Sequence, residues 1–225
     1  MKIFEKINER NKQKRSAAEA KRNFSSAMDY INLLIRYEPD KNNKILLLNY
    51  VLDTIKRDLK SEFQAASIYE FGNLRYIDTP FPYFYYDDNN IMQSIITKSD
   101  FKDIDLSKDC VFALPWKLES VINTIKNISY NEFEYMKNNH KSYYFKPVDI
   151  CYVYNGIHSI SAGMNYKKGI IKSRVCDITP LFNHIWTDGA YWYNVHTNEV
   201  KDELFDFRAG LLFEVTKMRY KLKNE

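Results

Sequence analysis

The stretch Pro147-Val148-Asp149-Ile150-Cys151-Tyr152-Val153-Tyr154-Asn155-Gly156-Ile157-His158-Ser159-Ile160-Ser161-Ala162-Gly163 holds the residue types best suited to chemistry. An apolar strand runs into Asn-Gly, and polar residues follow where a helix starts. The first N–H groups of a helix have no partner inside it and lie at the positive end of its dipole, so they can hold a phosphate. Gly156 lets a ligand approach the backbone closely. His158 can donate to a phosphate or exchange a proton near neutral pH. Ser159 adds a hydroxyl donor, and Asn155 stands at the turn itself. His158 is therefore the candidate catalytic residue, and Asn155, Gly156 and Ser159 are the candidate phosphate-binding residues. The competing reading is an ordinary Asn-Gly turn in which His158 only caps the helix.

A second candidate is the run Thr79-Pro80-Phe81-Pro82-Tyr83-Phe84-Tyr85-Tyr86-Asp87-Asp88. Its two prolines exclude a regular helix. It is either an irregular cover over a core or an aromatic surface for a partner protein. If it is extended, Tyr83 and Tyr85 face opposite to Phe84 and Tyr86, and the outer pair is the candidate for partner binding.

Other reactive residues form no recognisable set. His184 and His196 flank Asp188, with Asp177 nearby, but the two histidines fall on different elements without i,i+4 spacing. No metal ligands are assigned. His140 falls in a loop. Asp100, Asp103, Asp105 and Asp109 lack the glycine and glutamate of an EF-hand loop and read as turn and cap residues. Cys110, Cys151 and Cys176 contain no CxxC, and the last two lie in strand-like apolar runs where a thiol is inert. Phosphate-loop, Gly-x-Ser-x-Gly and His-Glu-x-x-His motifs are absent from the sequence.

The elements that must position these residues can be read from periodicity. Residues 1–72 read as a helical N-terminal region, 73–109 as an irregular aromatic and acidic connection, and 110–225 as a mixed α/β domain closed by a helix. Phe24, Met28, Ile31 and Ile35 mark a first helix, with Ser25 or Ser26 as its cap. Glu38-Pro39 stops it. Leu48, Leu52, Ile55, Leu59, Phe63 and Ala66 form a narrow seam on a second helix, ended by Gly72-Asn73. The seam packs within the chain or pairs two copies as a homodimer. Strands are predicted over 110–114, 148–154, 169–177 and 190–195, and helices over 115–128, 156–164, 179–186 and 203–222. The expected class is α+β, a helical part packed on a small mixed domain.

Charge and composition set further bounds. Residues 1–22 carry a local +5, while the other 203 sum to −1. A basic arm on a neutral body suits weak, salt-sensitive contact with phosphates or an acidic protein and not a DNA-coating surface; the competing reading is a solvated helix face. The N-terminal residues have no apolar core of a signal peptide, and no run approaches about 18 apolar residues. A cytoplasmic protein with no membrane partner is expected. Lys (24), Ile (22) and Asn (21) are abundant, a pattern that suits an AT-rich bacterial or phage genome.

The order of strand, helix, strand, Gly156-Ile157-His158-Ser159 and strand over roughly 110–180 resembles the ParB/sulfiredoxin-like superfamily. There a strand leads into a Gly-x-[His/Arg]-Arg motif that opens a helix and contacts nucleotide phosphate. Gly156 matches the motif glycine and His158 its third position, whereas Ser159 stands where the family usually has arginine. The hairpin that precedes the motif reads here as one strand. A His-Ser-Ile-x-x-Gly stretch is also similar to uncharacterised bacterial and phage mobile-element proteins. These resemblances imply a nucleotide- or nucleic-acid-linked protein of ParB-like type in bacterial antiviral defence or phage counter-defence. Whether it is an enzyme, and with which cofactor, is left open. The alternative is a non-enzymatic inhibitor or adaptor that binds a partner through residues 79–86 or the helical seam.

Overall fold

The structure is a computed structural model that describes residues 2–69, 79–115 and 118–225. Helices α1 (Lys2–Tyr37) and α2 (Lys41–Tyr69) begin the chain. A hairpin of β1 (Phe84–Tyr86) and β2 (Met92–Ser94) precedes the long strand β3 (Ile96–Asp105) and the short β4 (Val111–Phe112). Then come α3 (Leu118–Tyr130), β5 (Lys141–Lys146), β6 (Ile150–Asn155), α4 (Ile157–Tyr166) and β7 (Ile170–Asp177). The one-turn α5 (Leu181–His184), β8 (Ile185–Thr187), β9 (Tyr191–Asn194), β10 (Val200–Glu203) and α6 (Phe207–Asn224) close it. The class is α+β.

Among the described residues, five strands form the main sheet in the order β3-β7-β5-β6-β4. β5 runs parallel to β7 and antiparallel to β6, which is parallel to β4. β3 pairs antiparallel with β7 at one edge. Alternate side chains divide between two cores, because strand residues point to opposite faces in turn. Tyr144, Cys151, Val153, Ile171 and Val175 face Ile160 and Met164 of α4. Phe145, Ile150 and Cys176 face the other way, into a core built with α1, α2 and α6. That second core draws on Phe24, Leu52, Phe81, Ile95, Phe182 and Phe213, so residues from every part of the chain share it.

Several expectations are met and several corrected. Leu48, Leu52 and Leu59 of the seam are fully buried, and α2 packs mainly on α6. The described seam residues thus pack within the chain. The side chain of Ala66, the Gly72-Asn73 stop and Trp116 at the start of the predicted 115–128 helix lie outside the described residues. Ser25 and Ser26 are no caps; they sit inside α1, which continues because no breaker interrupts it. The single strand expected from Val148 is half of a hairpin. β5 turns into β6 through Pro147–Asp149, where Asp149 adopts φ 62° and its N–H donates to the Phe145 carbonyl. Asp100, Asp103 and Asp105 lie in β3, not in a turn, although the Asp105 carboxylate does cap Ser107 and Asp109 accepts from the Asp105 N–H. The helix expected to reach Trp186 ends at His184, where the chain extends into β8.

Polar anchors fix α6. Asp206 caps it by accepting from the Arg208 N–H, and Arg208 reaches Asp58 at 2.6 Å and also Glu62, both on α2. The nearly buried Arg219 donates to Asn49 of α2 at 2.9 Å and to the Pro147 carbonyl in the β5–β6 turn. α6 thereby ties the helical layer to the hairpin that leads to the candidate site.

The expectation for residues 1–22 as a purely electrostatic arm is corrected at its C-terminal end. Lys21 pairs with Asp188 at 2.6 Å and lies over the Tyr191 ring, and Phe24 is buried one turn later. Gly189, at φ +90°, lies under α1: a Cβ there would stand 2.2 Å from the Phe24 Cβ. Glycine alone fits both the left-handed backbone and this contact. Gly189→Ala is expected to cost about 2 kcal/mol or more. Lys21→Ala should cost less than about 1 kcal/mol, since the lysine side chain is exposed and Asp188 keeps its other hydrogen-bond partners. Urea melts of both variants check this; an unchanged midpoint for Gly189→Ala would show that α1 does not rest on this turn.

Candidate functional site

The register of β5 and β6 places His140 beside Gly156. Lys141 pairs with Asn155, so the residue before β5 meets the residue after β6. Gly156 adopts φ 73°, ψ 21° at the N-cap position of α4. A Cβ at Gly156 would stand 2.5 Å from the His140 ring and 3.0 Å from the Asn139 carbonyl oxygen. The left-handed backbone and this close contact both favour glycine here.

His140 is 2% exposed and pins the turn. Its Nδ1 accepts from the Met136 N–H at 3.0 Å, so the ring proton sits on Nε2. Nε2 lies 2.8 Å from Ser159 Oγ and donates to it. The Ser159 hydroxyl then donates to the Gly156 carbonyl at 3.0 Å. Phe133 stacks on the imidazole at 5.1 Å, and burial pushes its pKa below the ordinary range, which keeps it neutral. A histidine in this tautomer cannot take a proton from serine. Ser159 is therefore a structural partner of His140 and not a nucleophile, and its hydroxyl proton is already committed. His140 reads as a loop residue in the sequence; nothing in Asn138-Asn139-His140-Lys141 signals the contact, which exists only through strand pairing.

Asn155, Gly156, His158 and Ser159 lie along one wall of an open cleft of about 900 Å³. Thr124 and Asn127 of α3 form the facing wall, with Asn131, Glu132, Glu134 and Asn139 from the following loop. Asn131 Nδ2 donates to Asn127 Oδ1 at 2.8 Å, which fixes both amides. His158 is half-buried, and Tyr154 stands at the rim. Among the described residues the lining holds two carboxylates and no lysine or arginine, while Lys168 Nζ donates to the Ile128 and Asn131 carbonyls beside it. The two carboxylates favour neutral or cationic groups over a phosphate dianion.

The aromatic segment lies elsewhere. Tyr83 and Tyr85 turn inward, while Phe84 and Tyr86 are 47% and 41% exposed. Tyr83 packs on Tyr143 at 5.2 Å, and Tyr143 stacks on Tyr154 at 4.9 Å, so a ladder of rings runs from the segment to the cleft rim. Burial raises the Tyr83 and Tyr154 pKa values, keeping both phenols protonated.

His184 and His196 do meet, but with Asp88 and not Asp188. Their Nδ1 and Nε2 atoms lie 3.3 Å apart. The Asp188 carboxylate is taken up by Lys21, Tyr193 and the Ala190 and Tyr191 N–H groups. Asp177 accepts from Thr179 and pairs with Lys146. Nothing in residue type or spacing marks Asp88, which sits about a hundred residues away in the tip of the β1–β2 hairpin. Cys151 and Cys176 are buried, and burial pushes their thiols up to about 11 and about 12, so neither is a nucleophile.

The model of a family of unknown function (DUF6710) matches residues 6–225, and the chain belongs to that family. No curated protein and no solved structure matches the chain.

The His140 pin predicts a pH signature. Its folded pKa is lowered, so its contribution to stability is complete above the unfolded value of about 6.5 and is lost as pH falls toward the folded value. His140→Ala should cost about 2–4 kcal/mol at pH 7.5, since it removes a buried ring and strands polar partners. The gap between wild type and variant should narrow as pH is lowered from 7.5 to 5. Denaturant melts across that range check it; a constant gap would mean that the imidazole does not act as the neutral acceptor described.

Proposed function

We propose that the protein binds a nucleoside-type ligand in the cleft between α3 and the start of α4, gripping the base and sugar and not the phosphate. The observation that carries this reading is the lining: four asparagines (127, 131, 139 and 155) beside Glu132 and Glu134, with no lysine or arginine among the described lining residues, in about 900 Å³. A carboxamide offers both donors and an acceptor and can pair with two edge atoms of a base at once. Carboxylates accept from exocyclic amines or ribose hydroxyls. Tyr154 at the rim offers a face for stacking. The site lies beyond the carboxyl end of β6, where a strand feeds a helix, the usual place for ligands in sheets with parallel strands.

The ParB/sulfiredoxin-like likeness of the Gly156-Ile157-His158-Ser159 turn supports the same reading, as does the defence or counter-defence setting it implies. The departure at the fourth position fits too. Arginine there would grip phosphate, while Ser159 is spent on His140. His158 faces the cleft and is the residue through which any proton transfer to a ligand would pass.

A second reading has its own observation. Phe84 and Tyr86 are exposed beside Ile91 and Met92, which are 56% and 60% exposed, so the β1–β2 hairpin presents an apolar face to an adaptor's partner.

Thermal shift with the four nucleosides, their triphosphates and inorganic phosphate separates these. A nucleoside at 100 times its Kd stabilises by about 2.7 kcal/mol, a rise of roughly 5–10 °C at this chain length. The expected result is a shift with at least one nucleoside, little gain from added phosphates, and loss of the shift in Asn131→Ala and His158→Ala. A shift with triphosphates alone would restore phosphate as the recognised group. No shift with any of them would leave the hairpin face as the working surface.

A further inference from the structure

We infer that Asp88, His184 and His196 form a binding site for a zinc-class divalent cation, a site separate from the asparagine-lined cleft. The three ligand atoms come from three different turns. Asp88 is in the β1–β2 hairpin, His184 ends α5, and His196 lies in the β9–β10 turn. His184 Nδ1 and His196 Nε2 are 3.3 Å apart, and Asp88 Oδ1 lies 3.8 Å from the first and 3.5 Å from the second. Those separations leave a point about 2.1 Å from all three atoms. Zinc bonds to imidazole nitrogen and carboxylate oxygen are about 2.0–2.2 Å long. The ion therefore fits with the side chains where they are.

The ligands are held in place before any ion arrives. The His184 ring stacks on Tyr85 at 4.8 Å and 20°, and its side chain is only 13% exposed. The Val195 N–H donates to the His184 carbonyl at 3.0 Å, which ties the two histidine-bearing turns together. The Asn194 side chain accepts from the His196 N–H at 2.7 Å and from Thr197, closing the turn that presents His196. Asp87 accepts from the Asn89 and Ile91 N–H groups and so fixes the hairpin tip that carries Asp88. The Asp88 side chain is 82% exposed and has room to follow the ion.

Ligand chemistry selects the ion. Two imidazoles and one carboxylate suit zinc, cobalt or nickel, while magnesium and calcium require oxygen ligands. Three protein ligands at an exposed place leave a fourth position for water, the arrangement of zinc sites that keep a reactive position open. Such a bound water has a pKa near neutrality and is a nucleophile. The same ion would also fasten the β1–β2 hairpin to the three-stranded sheet β10-β9-β8.

Titration calorimetry of the untagged full chain, stripped with a chelator and dialysed, with zinc chloride tests the site. The expected result is one zinc per chain, with no heat from magnesium or calcium at the same concentration. Cobalt(II) should give the intense visible absorption of a four-coordinate site. His196→Ala, which alters an exposed side chain and leaves the fold intact, should weaken zinc binding by roughly a hundredfold or more, and Asp88→Asn by about tenfold. His158→Ala, in the cleft, should leave zinc binding unchanged. Zinc binding that persists in both His196→Ala and Asp88→Asn, or no stoichiometric binding by the wild type, overturns the inference. Neither result bears on nucleoside binding, which His184→Ala and His196→Ala leave intact.

Discussion

Four aromatic rings meet where the layers of the chain come together. Phe81 is fully buried, with its ring 5.3 Å from Phe145, 6.1 Å from Trp192 and 6.3 Å from Phe213. These residues belong to the segment before β1, to β5, to β9 and to α6. Trp192 and Phe213 are in turn edge-on at 5.2 Å, and Phe182 joins Phe213 at 5.4 Å. Each such pair contributes about 0.5–1.5 kcal/mol beyond the area it buries. The larger effect is geometric. Once Phe81 is seated, the alternation of an extended chain sends Tyr83 and Tyr85 inward and leaves Phe84 and Tyr86 outside. Tyr85 then backs His184, and Phe145 fixes the strand whose first neighbour is His140.

The two polar sites hang from this aromatic centre by different means. The asparagine-lined cleft depends on the β5–β6 register, because only that register sets His140 against Gly156. The histidine pair depends on the β8–β9 register, which matches Ile185 with Asn194 and so brings the turns at either end together. Each site has a rigid backbone frame and a more open polar surface. That division suits binding, because the cost of ordering has already been met by the core.

Much of the fold is legible in the sequence, and what is not has physical reasons. α2 declares itself because Leu48, Leu52, Leu59 and Phe63 fall on one stripe and α6 covers that stripe. The Gly156 turn declares itself because Asn-Gly between a strand and a polar helix start has few other uses. β5 does not. Both its faces are covered, so Lys-Ser-Tyr-Tyr-Phe-Lys lacks a clean alternation of apolar and polar residues. β3 hides for the opposite reason: over its ten residues only Ile104 is fully buried, and its aspartates read as turn formers. Residue type marked Ser159 as a donor; the hydrogen bond that occupies it comes from a residue nineteen positions away. Asp88 was invisible as a ligand because its partners lie about a hundred residues downstream, and only the folded hairpin closes that distance.

The edges of the main sheet bear on how the protein keeps company with itself in solution. An open edge strand shows unpaired N–H and C=O groups and invites another chain to add a strand. At one edge β4 is two residues long and is covered by α2. At the other, β3 is long and exposed, but Thr97-Lys98-Ser99-Asp100-Phe101-Lys102-Asp103 mixes both signs of charge along its free side. Charged side chains along an edge strand disfavour the addition of a further strand there. The same lysines and aspartates that disguise β3 in the sequence thus guard a chain rich in tyrosine and phenylalanine against sheet-to-sheet aggregation.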